Sequence, residues 1–269
     1  MVVTDRQVEE WLREDIGHND VTNDVPGETT GRLVAKESGV LAGIEAAVSV
    51  FEYLGVEVTD AAEAGDRIAV GDAVLAVEGA ARAVLRGERT AVNVAAHASG
   101  IATRTRAAVE AARTESEDVR IACTRKTTPG LRGVEKRAVA AGGGDTHRVD
   151  LSHMVMVKDN HIAEMGLEGA VGEFSRRASF TTKVEVEAET PEEARRAADA
   201  GADIVLLDNM TPEEIRETIG ETPGETLMEA SGGITIEDVP AYAATGVDVI
   251  SMGSLTHSAP ALDYSFRTG

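Results

Sequence analysis

Near its start, the chain has hydrophobic residues at helical spacing. In residues 5–16, Val8, Trp11, Leu12 and Ile16 recur about one helical turn apart, and most residues between them are charged. An α-helix places such positions on one face, so this segment is predicted to form an amphipathic helix.

Shorter alternating patterns follow. Residues 32–37, 67–79 and 80–85 alternate between hydrophobic and polar side chains, and glycines such as Gly71 interrupt them. A period of two predicts half-buried strands, here in a small antiparallel sheet. A long helical pattern over residues 86–113 ends this first region.

The second half of the chain repeats a strand-then-helix order. Three predicted helices each have a threonine N-cap (Thr190, Thr211 or Thr235), an acidic residue three positions later and a closing glycine. Continuously hydrophobic strand candidates lie at 119–124, 154–158, 183–187, 203–207, 226–230 and 247–252.

Strands of this character predict a parallel sheet that is covered on both faces. A repeat of roughly twenty residues favours a (β/α) barrel, with an open doubly wound sheet as the alternative. The predicted fold class is therefore α/β, and in either architecture the chemistry lies at the carboxyl ends of the strands.

Composition excludes several classes of protein. With 269 residues and a formal net charge of −21, the chain is too acidic for a general nucleic-acid-binding protein. Cys123 is the single cysteine, which excludes an intramolecular disulfide and a cysteine-rich zinc site and favours a reducing cytoplasm. We find no long uncharged hydrophobic stretch, so a soluble cytoplasmic protein without a membrane partner is expected.

Lysine is rare beside arginine, since only five of the 26 basic residues are lysines. Together with the strong acidity, this bias is typical of a halophilic protein, because dense surface carboxylates repel one another at low salt and are screened at high salt. GC-rich coding is the alternative explanation.

One segment departs from the overall acidity. Residues 120–161 hold eight lysines and arginines against four acidic residues, and they also hold three histidines. Arg120 and Arg137 are expected to form ordinary ion pairs. Arg125, Lys126, Arg148 and Lys158 instead lie at predicted strand ends or beside the glycine run 142–144, where a polyanionic small molecule can bind.

The remaining strand ends supply complementary groups. Glu187 and Asp208 end neighbouring strands, so their carboxylates are expected to face one cavity and to bind sugar hydroxyls or Mg²⁺. Residues 231–233 precede the helix predicted to be capped at Thr235, and residues 253–254 follow the next strand. Free backbone N–H groups at such glycine turns suit a phosphate, although a tight strand-to-helix turn explains each cluster equally well.

Several motifs together resemble one family. They are EDIGHNDVT (14–22), ERTAVNVAAHASGIAT (88–103), TRKTTPGLR (124–132), GGGDTHR (142–148), MVKDNHI (156–162), VEVE (184–187), LLDNM (206–210), EASGGI (229–234) and SMGSLTHSAPALDYSF (251–266). In this order they resemble the quinolinate phosphoribosyltransferases, also called nicotinate-nucleotide pyrophosphorylases (carboxylating). The resemblance spans nearly the whole chain.

The resemblance implies a fold and a reaction. It implies an N-terminal α/β sandwich domain (1–113) followed by an incomplete (β/α) TIM-like barrel (114–269), with the extreme C-terminus returning to the first domain. The reaction implied converts quinolinate and phosphoribosyl pyrophosphate to nicotinate mononucleotide, pyrophosphate and CO₂ with Mg²⁺, in NAD biosynthesis. A homodimer with shared active sites, or a hexamer built from such dimers, is also implied.

The resemblance further implies roles for individual residues. The catalytic set implied is Arg125, Lys126, Lys158, Glu187 and Asp208. Substrate binding is implied for the same five residues and for Thr124, His147, Arg148, Ser231, Gly232, Gly233, Met252, Gly253 and Ser254, together with an Arg89 that comes from the neighbouring subunit. Glu187 and Asp208 are implied to hold Mg²⁺ indirectly through the substrate, and Glu185 competes with Glu187 for this role.

Two positions depart from the family pattern. Thr146 stands where the family usually has Asn, and His153 stands where it usually has Asp. These departures leave open a paralogous phosphoribosyl- or glycosyltransferase that acts on another acid, and His153 is equally explained as a core histidine. A non-catalytic sensor of a phosphorylated metabolite is a third hypothesis, which the carboxylates Glu187 and Asp208 disfavour.

Overall fold

The chain divides into two compact units in the computed structural model, which describes residues 3–222 and 224–269. Unit 1 comprises Met1–Arg106, Thr127–Gly143 and Leu255–Gly269, and unit 2 comprises Ala107–Lys126 and Gly144–Ser254.

The helices are α1 (Asp5–Ile16), α2 (Ile44–Tyr53), α3 (Ala81–Arg113), α4 (Arg132–Ala141), α5 (Asp159–Met165), α6 (Leu167–Arg177), α7 (Pro191–Asp199), α8 (Pro212–Glu221), α9 (Val239–Ala243) and α10 (Ser254–His257). The strands are β1 (Glu28–Ala35), β2 (Gly39–Val40), β3 (Glu57–Ala61), β4 (Arg67–Ile68), β5 (Ala73–Ala80), β6 (Arg120–Ala122), β7 (Val155–Val157), β8 (Val184–Ala188), β9 (Ile204–Asp208), β10 (Leu227–Ser231), β11 (Val249–Ser251) and β12 (Tyr264–Thr268).

The amphipathic helix predicted at the start of the chain is confirmed as α1. Thr4 and Gln7 form a capping box in which each side chain accepts a hydrogen bond from the other residue's backbone N–H. Val8 and Leu12 on its hydrophobic face are buried in the core of unit 1.

The small antiparallel sheet is also confirmed, with the strand order β12-β1-β5-β3. The strand predicted over residues 80–85 is wrong, because α3 begins at Ala81 rather than at residue 86. Ala81 and Val84 are both buried and lie three positions apart, which is helical spacing.

The polar side chains of α3 fix the neighbouring segments of unit 1. Ser99 Oγ lies 3.0 Å from the backbone N and 3.1 Å from the backbone O of Ala42, and it accepts a hydrogen bond from the Tyr264 hydroxyl at 2.9 Å. Thr103 Oγ1 accepts a hydrogen bond from the backbone N of Val40 at 2.9 Å. Ser99 and Thr103, which belong to the 88–103 motif, therefore have a structural role in unit 1.

The units do not follow a single boundary at residue 113. Residues 127–143 belong to unit 1, because Glu135 on α4 binds His97 Nε2 at 2.9 Å and Arg137 pairs with Glu45 at 2.7 Å. The last strand, β12, returns to unit 1 and pairs with β1, whereas residues 107–113 at the end of α3 belong to unit 2.

Unit 2 has a six-stranded parallel sheet in the order β6-β11-β10-β9-β8-β7. From β7 to β11 each strand pairs with the next strand in the chain, and β6 then pairs with β11. A doubly wound sheet would instead reverse direction at a switch point. In the described residues β6 and β7 do not pair with each other, so this sheet has the order of an incomplete barrel, and the predicted fold class is confirmed.

Two of the three predicted N-caps are confirmed. Thr190 and Thr211 accept hydrogen bonds from the backbone N–H of Glu193 and Glu214, and proline follows each cap. The third is wrong, since α9 begins at Val239. Thr235 belongs to the preceding turn, where its hydroxyl donates to Asp238 Oδ2 at 2.7 Å.

Among the described residues, no helix is both long enough and hydrophobic enough to span a membrane.

The close approach of Gly100 on α3 to Pro260 predicts a large effect of one methyl group. A Cβ at Gly100 would lie 1.9 Å from the Pro260 carbonyl oxygen, so Gly100→Ala should destabilise the protein by about 1–3 kcal/mol or more. Gly169→Ala on α6 is the matched control, because no atom lies within 4 Å of its Cβ position. That change should stabilise by about 0.5–1 kcal/mol. Urea unfolding of both variants tests the opposite signs, and equal effects would contradict this packing.

Candidate active site

A cavity of about 470 Å³ lies at the carboxyl ends of the parallel strands in unit 2. Each of the six strands contributes a lining residue from its last residues or from the first few positions after it. The lining residues are Thr124, Arg125, Lys126, His147, Arg148, Met156, Lys158, Glu187, Leu206, Asp208, Glu229, Ser231 and Ser251.

The pleat of the strands determines which side chains reach this cavity. On β9, Leu206 and Asp208 line the cavity, whereas the alternate residues Val205 and Leu207 are fully buried. Successive side chains of a strand point to opposite faces, so one face supplies the cavity and the other supplies the hydrophobic core of unit 2.

The structure brings Arg125, Lys126, Arg148 and Lys158 together in this cavity. Arg148 is only 8% exposed, and its Nη2 contacts the Met156 sulfur at 3.1 Å. Burial and the nearby positive charge of Arg125 lower the pKa of Arg148. Its Nε is buried without a hydrogen-bond partner among the described residues. A bound anion would satisfy such a group.

Arg120 and Arg137, which also belong to segment 120–161, have partners outside this cavity. Arg120 lies 3.8 Å from Asp145, and Arg137 lies 2.7 Å from Glu45. These are the ordinary ion pairs expected for both residues.

Glu187 and Asp208 lie on adjacent strands and face the same cavity. Lys158 Nζ donates a hydrogen bond to Glu187 Oε2, and Asn209 Nδ2 donates to Asp208 Oδ2 at 2.7 Å. Carboxylate oxygens in this arrangement can bind sugar hydroxyls or Mg²⁺ that accompanies a phosphate.

His147 occupies a constrained position at the edge of the cavity. Its φ of 48° is in the left-handed region, and its backbone N donates to Asp145 Oδ1 at 2.7 Å. Its Nε2 lies 3.1 Å from Glu229 Oε2 and 3.5 Å from Glu185 Oε1. Burial alone would lower the pKa of His147, but the interactions with the carboxylates of Glu185 and Glu229 outweigh it and raise this pKa to about 10.

The structure separates Glu185 from Glu187. Glu185 is fully buried beside His147, and this burial raises its carboxyl pKa, whereas Glu187 lines the cavity. Glu229 was missed by sequence reasoning. The signal that could have found it is its position two residues before Ser231 on β10, which places both side chains on one face.

The glycine turns after β10 and β11 are only partly at the cavity. Ser231 lines it, but Gly232, Gly233, Met252, Gly253 and Ser254 are absent from its described lining. A Cβ at Gly232 would lie 2.6 Å from the backbone N of Asn209, and both residues have positive φ. Gly232 therefore allows two neighbouring strand ends to approach closely. Met252 is 2% exposed and follows Ser251, so it lies on the hydrophobic face.

Arg89 is not among the residues that line this cavity. It is exposed on α3 in unit 1. Neither Glu88 nor Glu110 pairs with it, and it makes no ion pair within the part of the chain that the structure describes.

Both departures from the family pattern lie outside the described lining of the cavity. The Thr146 carbonyl accepts a hydrogen bond from the Cys123 thiol at 3.5 Å. His153 is exposed, and its Nδ1 accepts a hydrogen bond from the backbone N of Val149 at 3.2 Å, so the core-histidine interpretation is wrong.

A second cavity of about 560 Å³ lies within unit 1. Its rim includes Glu10, Glu14 and Asp15, and its described lining includes no lysine or arginine. The cations that a polyanion would need line the smaller cavity of unit 2 instead.

Sequence comparison decides the family. The family "Quinolinate phosphoribosyl transferase, N-terminal domain" matches residues 19–99, and its C-terminal domain matches residues 101–267. The chain belongs to the quinolinate phosphoribosyl transferase family. The boundary between the two matches falls within α3, near the point at which the compact units divide.

Relatives of known name and structure extend over nearly the whole chain. A Methanothermobacter thermautotrophicus protein called "probable nicotinate-nucleotide pyrophosphorylase [carboxylating]" is 47% identical over 97% of both chains. The human nicotinate-nucleotide pyrophosphorylase [carboxylating] is 45% identical over 97% of this chain and 90% of its own. The crystal structure of NadC from Streptococcus pyogenes is 39% identical, with a TM-score of 0.92 over 100% of this chain and 99% of that one.

The raised pKa of His147 predicts a pH-dependent stability in this family member. A folded pKa of about 10 against an ordinary histidine pKa of 6.5 means that protonated His147 stabilises the fold fully below about pH 6.5. This stabilisation is lost as the pH rises through about 10. His147→Asn, which tolerates the left-handed backbone, should therefore cost more unfolding free energy near pH 6 than near pH 10. Urea unfolding at both pH values measures the difference, and a cost that grows with pH would contradict the ion pairs.

Proposed function

We propose that this protein is a quinolinate phosphoribosyltransferase, which joins quinolinate to phosphoribosyl pyrophosphate and releases nicotinate mononucleotide, pyrophosphate and CO₂ in NAD biosynthesis. The observation that carries this proposal is the cavity of unit 2, in a chain of this family, where Arg125, Lys126, Arg148 and Lys158 meet Glu187 and Asp208. The curated relatives are named for this carboxylating reaction.

The charges of the cavity match the charges of these substrates. Quinolinate has two carboxylates, and phosphoribosyl pyrophosphate has a 5′-phosphate and a pyrophosphate. Arg148 and His147 are assigned to the carboxylates, because both are largely buried and positively charged. Arg125, Lys126 and Lys158 are assigned to the pyrophosphate, and Thr124 and Ser231 complete the polar lining.

Catalysis in this proposal needs no nucleophilic side chain. The quinolinate nitrogen attacks the anomeric carbon while the bond to pyrophosphate breaks, through an oxocarbenium-like transition state. The cations stabilise the departing pyrophosphate, and Glu187 and Asp208 stabilise the positive sugar. The bond between ring carbon 2 and its carboxylate then breaks as CO₂ leaves. The electron pair of that bond stays on carbon 2, where the positive pyridinium ring stabilises it until a proton binds there.

Mg²⁺ is proposed as the metal cofactor. The oxygens of Glu187 and Asp208 on adjacent strands are the hard ligands that Mg²⁺ prefers, and Mg²⁺ keeps water and phosphate ligands besides protein carboxylates. Bound together with the pyrophosphate, it would neutralise negative charge on the leaving group.

The 5′-phosphate is assigned to the turns at residues 231–233 and 252–254. Ser231 at the cavity edge and the open space at Gly233, where no atom lies within 4 Å of the Cβ position, support this assignment. It rests on backbone N–H groups rather than on a helix N-terminus, because α9 begins only at Val239.

Substrate choice separates this function from its alternatives. The purified protein should release pyrophosphate from phosphoribosyl pyrophosphate with quinolinate but not with nicotinate, because decarboxylation requires the second carboxylate. The reaction should also require Mg²⁺. Pyrophosphate and CO₂ release measure both steps. Efficient turnover of nicotinate or of another acid would favour a paralogous transferase, and binding without turnover would favour a sensor.

Arg148 provides a sharper test of the acid site. Arg148→Ala should weaken quinolinate binding by about 2–5 kcal/mol, because it leaves a buried carboxylate unpaired. Arg120→Ala is the control, since Arg120 is 72% exposed and pairs with Asp145 outside the cavity. Isothermal titration with quinolinate measures both variants. An Arg148→Ala protein with the affinity of the control would remove Arg148 from the site.

A homodimer with shared active sites is also proposed, either alone or within a hexamer. Arg89 supports this arrangement, because it is exposed and makes no ion pair among the described residues of its own chain. In a two-fold dimer each subunit would lend Arg89 to the other subunit's site.

Complementation tests the shared site. Arg89→Ala and Arg125→Ala should each be nearly inactive, but a mixed dimer holds one intact site and one doubly altered site. Random mixing makes half of the dimers mixed, so roughly a quarter of all sites should recover. If the co-refolded variants regain no activity while a refolded wild-type control does, Arg89 does not act across subunits.

We further propose a cytoplasmic, high-salt setting for this enzyme. The net charge of −21 and the buried lone Cys123 support it. Because the Debye length falls to about 3 Å at 1 M salt, the melting temperature should rise with KCl concentration as carboxylate repulsion is screened. Differential scanning fluorimetry from low to molar KCl measures this change, and a flat or falling curve would favour codon bias.

A further inference from the structure

Two buried glutamates, Glu185 and Glu229, lie beside the His147 ring. Glu185 on β8 is 0% exposed and Glu229 on β10 is 1% exposed. Burying a carboxylate is unfavourable unless it is paired, and a fold gains little from a buried ion pair that hydrophobic residues could replace. Two such carboxylates around one histidine therefore point to a purpose beyond stability.

The contacts of the His147 ring show what the glutamates do. Its Nε2 lies 3.1 Å from Glu229 Oε2 and 3.5 Å from Glu185 Oε1. A carboxylate accepts hydrogen bonds, so Nε2 carries a proton. In the described residues Nδ1 has no partner, and the residue lines the cavity, so Nδ1 is the ring nitrogen left for a ligand.

Charge then decides what Nδ1 can bind. In a neutral ring with its proton on Nε2, Nδ1 is an acceptor and repels a carboxylate. In the imidazolium, Nδ1 is a donor and attracts one. A second negative charge beside the ring favours the imidazolium, which agrees with the pKa of about 10 for His147.

The backbone around His147 supports the same role. A φ of 48° is unfavourable for histidine and persists only where the surroundings hold it, here through Asp145 Oδ1 and the ion pair with Glu229. The ring is therefore fixed in place before a ligand arrives.

We propose that Glu229, assisted by Glu185, is a positioning residue that orients His147 and holds it as a cation, so that Nδ1–H binds a carboxylate of the acid substrate. This inference rests on the proposed function. It assigns no contact between Glu229 and the substrate, and it predicts that Glu229 affects the acid substrate but not the phosphorylated sugar.

Glu229→Gln is the central variant, because it removes the charge with little change in volume. It should raise the Kd and the KM for quinolinate at least 10-fold, and a 10-fold change corresponds to roughly 1.4 kcal/mol in quinolinate binding. The KM for phosphoribosyl pyrophosphate should stay within about 2-fold of the wild-type value. Glu229→Asp keeps the charge and should restore part of the affinity. Glu168→Gln is the matched control, since Glu168 pairs with Arg196 away from the cavity.

A double-mutant cycle shows whether Glu229 acts through His147. In a His147→Asn background, Glu229→Gln should have almost no further effect on the quinolinate Kd. An equal loss in both backgrounds would overturn the proposal. So would an unchanged KM for quinolinate, or a parallel rise in both KM values, which a merely structural role would produce.

Two further outcomes are informative. His147, Glu185 and Glu229 are also close enough to hold a metal ion, so a stoichiometric metal in the purified protein that Glu229→Gln loses would overturn the proposal. If the wild-type protein neither binds nor turns over quinolinate, the proposed function fails. If it does both while Glu229→Gln is unaffected, only the present inference fails.

Discussion

Concentrated charge at the carboxyl ends of the parallel strands is the constraint on which unit 2 depends. Arg148 is largely buried near another cation, Arg125, and both the burial and this proximity lower the pKa of Arg148. The fold offsets the repulsion by interleaving carboxylates from neighbouring strands, with Glu187 beside Lys158 and Glu229 beside His147. Because the pleat sends alternate side chains inward, each strand can supply one such group without interrupting the hydrophobic face behind it.

Hydrophobic pattern predicted the strands of unit 2 well, because a strand buried on both faces leaves a continuous apolar run. The limits of the units could not be found in this way. Helix α4 follows β6 in the chain, but it belongs to unit 1 through contacts of Glu135 with His97 and of Arg137 with Glu45. Such contacts join residues distant in sequence, and local periodicity contains no information about them. Thr235 is not a cap for a different, local reason, because its hydroxyl donates to Asp238 within a turn.

The cations of the candidate site stood out in the sequence because the chain is otherwise acidic. For the same reason the charge of Glu229 did not stand out in a chain with 47 acidic residues, and only its position two residues before Ser231 marks it. Its burial and its contact with His147 are properties of the fold. Met252 lies next to Gly253 in the sequence, but the pleat places its side chain in the core, which the glycine turn alone does not reveal.

Glycines explain why a family motif is not a list of ligand contacts. A Cβ at Gly142 would lie 2.5 Å from the Ala102 carbonyl oxygen, and one at Gly232 would lie 2.6 Å from the backbone N of Asn209. Both belong to motifs that resemble the family, yet close backbone packing alone requires glycine at each. A substitution at Gly232 would displace the strand ends that hold Asp208 and Ser231, and one at Gly142 would displace α4 from α3. Loss of activity in such a variant is therefore no evidence for substrate contact. A displaced strand end affects both substrates together, so a selective change in affinity for one substrate is the evidence that a contact requires.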